Sequence, residues 1–101
     1  MNFNQFTIKS QEALQTAFEM AQGRQQQAVE PGHVLKGLFH ASENVTGYLL
    51  KKLGVNLNMF GQALDRIVEA YPRVSGGEQY LSGDTDKVLH KSVELSRKMG
   101  D

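Results

Sequence analysis

A chain of 101 residues, 40% apolar and 22% charged, has room for one domain with a thin core. Eleven basic residues balance eleven acidic ones, which argues against nucleic acid or an anionic membrane as a partner, since both need a basic surplus. The absence of cysteine excludes disulfides, thiolate chemistry and cysteine-ligated zinc, and no apolar run approaches the ~18 residues of a membrane span.

The opening Met1-Asn2-Phe3-Asn4-Gln5-Phe6 lacks a signal-peptide pattern, so a cytoplasmic protein is the default. Leu14, Ala17, Phe18 and Ala21 then form one stripe of an amphipathic helix expected over 8–23, with Thr7 as N-cap and Gly23 as stop. Gln25-Gln26-Gln27 reads as a short polar turn. Glu30-Pro31 opens a second helix with Pro31 at its first position, where its missing N–H is tolerated, and Val34, Leu35, Leu38 and Phe39 as its buried face. Asn44 is expected to cap a third helix with Val45, Tyr48, Leu49 and Leu53 inward, ending at Gly54. The fourth is expected from about Leu57 to Tyr71, with Leu57, Phe60, Leu64, Ile67, Val68 and Tyr71 inward and Pro72 as stop. Residues 72–81 form a long loop made pliable by Gly76-Gly77. A fifth helix starts after Ser82 and carries Val88, Leu89, Ser92, Val93 and Ser96. No segment alternates like a strand of useful length.

Slid by 75 positions, the chain matches itself. Thr7 meets Ser82, Ser10 meets Thr85, Leu14 meets Leu89, and Phe18 meets Val93. The shared cap, preceding apolar residue and core stripe imply a repeat. Residues 1–71 would be the first unit, 72–81 the inter-repeat loop, and 82–101 the first helix of a second unit. The chain is therefore expected to be part of a larger protein.

Several motifs carry no chemistry. His33 and His40 lack a carboxylate at metalloprotease spacing, and a structural role at the second helix start suits His33. Asp84-x-Asp86 lacks the remaining calcium ligands and reads as an acidic helix start. Gly76-Gly77 is not followed by Gly-Lys-Ser/Thr, so no phosphate loop is present. No catalytic residue and no metal ligand is assigned.

Phe6-Thr7-Ile8-Lys9-Ser10-Gln11-Glu12-Ala13, Glu30-Pro31-Gly32-His33-Val34-Leu35-Lys36-Gly37-Leu38, and Pro72-Arg73-Val74-Ser75-Gly76-Gly77 followed by Tyr80-Leu81-Ser82 resemble the N-terminal domain of the Clp family of AAA+ unfoldases. The ClpB (Hsp100) disaggregases are the most similar branch, over essentially the whole chain. The resemblance implies an all-α, pseudo-twofold domain of two four-helix units, here the first unit and one helix of the second. It implies a hexameric ATPase parent that uses ATP and magnesium and cooperates with an Hsp70 system. It further implies capture of unfolded or aggregated polypeptides in a groove between the repeats, with Thr7, Leu95 and Asp101 matching groove positions. Gly32 stands where the related phosphoarginine-binding domains carry a glutamate, so that activity is not expected. Docking of a folded adaptor, as in Clp protease subunits similar to ClpA and ClpC, is the alternative.

The groove also follows from packing, because two units side by side leave a seam between their first helices. Met20, Leu95 and Met99 lie outside the strict core stripes, as adaptable groove residues or as peripheral core.

Overall fold

Helix starts follow the capping chemistry closely. In the computed structural model, which describes residues 7–74 and 76–99, there are five helices, with a long connection only between the fourth and fifth. They are α1 (Ile8–Gly23), α2 (Pro31–Ala41), α3 (Glu43–Lys52), α4 (Leu57–Glu69) and α5 (Gly83–Lys98). Two short strands, β1 (Ala28–Val29) and β2 (Tyr80–Leu81), pair in parallel with Ala28 opposite Tyr80 and Val29 opposite Leu81. The all-α class is thus established. Two-residue strands are too short to show alternation in a sequence.

The Thr7 and Ser82 hydroxyls accept the N–H groups of Ser10 and Thr85, each at 3.1 Å, and Asn56 does the same for Met59 at 3.1 Å. These bonds satisfy N–H groups that the helix itself leaves unpaired. Pro31 occupies the first turn of α2 as expected. α3 differs from expectation: Ser42, not Asn44, precedes it, because Ser42 alone separates it from α2 and its carbonyl accepts the Thr46 N–H. Asn44 therefore lies inside the first turn. Gly23 is the last residue of α1 rather than its stop, and the reversal falls on Gln25 with φ 59°. Gly54, at φ 80°, does end the α3 region. α4 ends at Glu69, short of the expected Tyr71, whose hydroxyl accepts the Gly32 N–H.

The core lies between α1 and α2 and extends to α5. Ala13, Leu14, Ala17 and Ala21 of α1 are buried, with Val29, Val34 and Leu89 beside them and Phe18 and Leu81 packed on the edge. Each buried Val or Leu contributes about 1.5–3 kcal/mol. α2 reaches α1 through Gly37, where a Cβ would overlap the Ala13 carbonyl oxygen.

Three expected stripes are revised. On α2 only Val34 of the four expected residues is fully buried. Gly32, His33 and Gly37 complete the face, and Phe39 turns to pair with Phe60 at 5.5 Å between ring centres. On α3 the expected inward residues Val45, Tyr48, Leu49 and Leu53 are each more than half exposed. The single-residue link to α2 fixes α3's rotation, so Thr46, Gly47 and Leu50 form its half-buried side. On α4, Leu64 and Val68 are buried but Ile67 is exposed.

The glutamine turn also differs from a surface turn. Gln26 is only 1% exposed, and this segment is bonded on both sides of it, with the Val74 N–H on the Gln25 carbonyl and the Tyr80 N–H on that of Gln27.

Candidate functional site

α1, α2 and α5 enclose a cleft of about 710 Å³. Its walls are aliphatic: Ala13 and Leu14 from α1, Val34 and Leu38 from α2, and Val88, Leu89 and Val93 from α5. Hydroxyls of Thr7, Ser10, Ser92 and Ser96 add the polar lining, and among the described residues no charged side chain contributes. Such a surface suits neutral, apolar ligands, because nothing in it rewards a charge for leaving water.

The two helices flanking this cleft start identically. Thr7 has φ −64° and ψ 164°, and Ser82 has φ −62° and ψ 160°. The Thr7 hydroxyl donates to Ser10 Oγ at 3.0 Å, as the Ser82 hydroxyl does to Thr85 Oγ1 at 2.9 Å. The position of α5 is then set by one carbonyl. Val29 O accepts both the Ser82 N–H at 3.0 Å and the Thr85 hydroxyl at 2.7 Å.

The other side of the same peptide unit belongs to a buried polar network. The Glu30 N–H donates to His33 Nδ1 at 2.9 Å, which makes Nδ1 the acceptor and leaves the proton on Nε2. His33 Nε2 donates to Gln26 Oε1 at 2.7 Å, and the Gln26 amide donates to the carbonyls of Val68 at 2.7 Å and Tyr71 at 3.3 Å. Burial lowers the His33 pKa. The Glu30 carboxylate opposes this, and the Arg24 and Lys36 charges add to it. Those two cations are engaged by Glu69 and Asp65, respectively. Burial also raises the Tyr71 pKa.

Gly32 closes the network. Its N–H donates to the Tyr71 hydroxyl at 3.2 Å, and a Cβ there would meet that oxygen at 2.6 Å. A glutamate at position 32 could enter only by displacing Tyr71.

Of the groove positions, Thr7 lines the cleft. Leu95 is 46% exposed and lies on the helical stripe of Val88, Ser92 and Met99, outside the cleft lining. Asp101 falls outside the described residues. Met20 is half-buried and also outside the cleft. Sequence reasoning missed Gln26, Tyr71 and Val29. Gln26 looks like its two neighbours, Tyr71 reads as a helix residue, and the role of Val29 belongs to its backbone. Thr85 was visible as the repeat partner of Ser10, although its bond across to β1 was not.

A second hollow of about 570 Å³ lies among α2, α3 and α4, but Lys36, Glu43, Lys51 and Asp65 stand around Phe39 and Phe60 there. Among the described residues no three His, Cys, Asp or Glu gather as a metal site, and no helix is long and apolar enough to cross a membrane.

The fold is thus a helical module with an aliphatic, hydroxyl-bearing cleft between α1, α2 and α5. The family model of the Clp repeat (R) N-terminal domain matches residues 5–101, and the chain belongs to that family. It is 50% identical over its full length to "Chaperone protein ClpB" of Bacteroides thetaiotaomicron and 45% identical to that of Porphyromonas gingivalis, covering 12% of each. It is 35% identical over 99 residues to "Chaperone protein ClpB 2" of a Nostoc species, covering 96% of this chain and 11% of that one. The chain thus spans about an eighth of the length of the relatives it matches.

Proposed function

We propose that this domain recruits substrates for an ATP-dependent protein disaggregase by binding exposed apolar segments of unfolded or aggregated polypeptides. The observation that carries the reading is the cleft between α1, α2 and α5, whose lining is aliphatic and hydroxyl-bearing without a charge. The chaperone names of its relatives agree with it. Thr7 lies in the cleft and Leu95 extends the apolar surface along α5; Asp101, outside the described residues, is the third residue proposed for the groove. ATP and magnesium would be bound elsewhere in a longer parent chain. Assembly of six such parents, cooperating with an Hsp70 system, would multiply weak single-domain contacts through avidity.

The test is titration of the ¹⁵N-labelled domain with a permanently unfolded test protein. Shifts are expected at Thr7, Ser10, Val88 and Ser92, with little dependence on salt because no ion pair is involved. Shifts confined to α3 and α4 would overturn the proposal. They would favour docking of a folded adaptor, a reading supported by the outward apolar face of Val45, Leu49 and Leu53.

A further inference from the structure

We propose that His33 is an acid-sensitive latch that positions α5, and with it one wall of the cleft, through the Val29–Glu30 peptide unit. The inference rests on connectivity within that single unit. Its N–H is held by His33 Nδ1 at 2.9 Å, and its carbonyl is held by the Ser82 N–H and the Thr85 hydroxyl at 3.0 and 2.7 Å. Peptide planarity makes these two sets of bonds one rigid element. Whatever tilts the plane from the His33 side moves the acceptor on which the start of α5 hangs.

Protonation supplies that tilt. A proton taken from solvent at Nδ1 turns the acceptor into a second donor, and two N–H groups then face each other. The Nε2–H bond to Gln26 survives, so the ring stays tied to Val68 and Tyr71 while the peptide is released. The groups that bear on this proton come from each surrounding element. Glu30 at the α2 start favours it. Arg24 after α1 and Lys36 on α2 oppose it, each offset by an α4 carboxylate, Glu69 and Asp65. The neutral Tyr71 ring packs 5.1 Å away, centre to centre. Burial holds the ring neutral at ordinary pH, so the latch is closed until the medium acidifies.

The test follows the amide signals of Ser82 and Thr85 and the His33 ring by NMR as pH is lowered. A His90→Gln background is used because His90 pairs with Asp86 on α5 at 3.5 Å, close to the amides observed. The expected result is that both amides shift with the midpoint of His33 and become flat in His33→Gln, where glutamine keeps an acceptor for the Glu30 N–H. Linkage adds a reciprocal arm independent of that variant: Thr85→Val, which frees the Val29 carbonyl from its hydroxyl bond, raises the His33 midpoint toward its ordinary value. Amides that stay still while His33 titrates, or that shift equally in His33→Gln, would overturn the latch. So would an unmoved midpoint in Thr85→Val, or a His33 that stays neutral until the whole chain unfolds. The latch does not depend on what the cleft binds, so failure to bind unfolded protein would leave these shifts unchanged.

Discussion

α1 and α5 are two versions of one helix that end in different surroundings. Each has 16 residues, starts from a hydroxyl cap of the same geometry, and places a leucine at the matching core position, Leu14 and Leu89. α1 nevertheless buries four residues, whereas α5 buries only Thr85 and Leu89. The difference lies in the neighbour. α2 lies against α1 because Gly37 admits the Ala13 carbonyl, while α5 is fastened to β1 at its first turn and keeps Val88 half exposed along the cleft. The same pattern therefore makes core in one place and a cleft wall in the other.

The largest way to break this contrast is Gly37→Ala. Backbone meets backbone there, so no flexible side chain can yield, and a loss of about 3 kcal/mol is expected in chemical unfolding. Next is Gln26→Ala, which takes the Gln26 amide from the Tyr71 carbonyl and His33 Nε2 and leaves the Val68 carbonyl to the Tyr71 N–H, for about 2 kcal/mol. The caps give the smallest effects and the sharpest comparison. Ser82→Ala is expected to lose about 1.5 kcal/mol and Thr7→Ala about 0.7 kcal/mol, because the Ser82 hydroxyl also supports a buried Thr85. Equal losses would mean that the two starts are energetically alike despite their different burial.

Acid adds a pH axis. His33 has a lowered pKa in the folded chain, so the unfolded chain binds its proton first. The stability from keeping His33 neutral is complete above its unfolded value of 6.5 and is lost as pH falls from there through the lower folded value. Thermal melts across this range should show that slope in the wild type and a shallower one in His33→Gln.

Much of this frame was legible in the sequence, because caps and breakers act locally. Thr7, Ser82 and Pro31 announce their helices through their own chemistry, and the α1 stripe repeats at helical spacing. The α3 face was not legible. Val45, Tyr48, Leu49 and Leu53 have the right spacing, but the one-residue link at Ser42 decides which way they turn, and tertiary geometry overrides the pattern. The cleft was foreseeable as a seam between first helices, and Thr7 lies in it. The contribution of α2 through Val34 and Leu38 depended on Leu38 staying part-exposed instead of joining the core.

The proposed function turns on whether the aliphatic cleft, rather than the exposed Val45, Leu49 and Leu53, receives polypeptide. Fluorescence anisotropy of an unfolded test protein should compare a Leu38→Asp/Val88→Asp variant with Leu53→Asp, once circular dichroism shows both to be folded. A carboxylate placed against the apolar lining is expected to weaken binding by at least about tenfold, roughly 1.4 kcal/mol, while Leu53→Asp binds like the wild type. Unchanged binding by the cleft variant together with loss in Leu53→Asp would contradict the account.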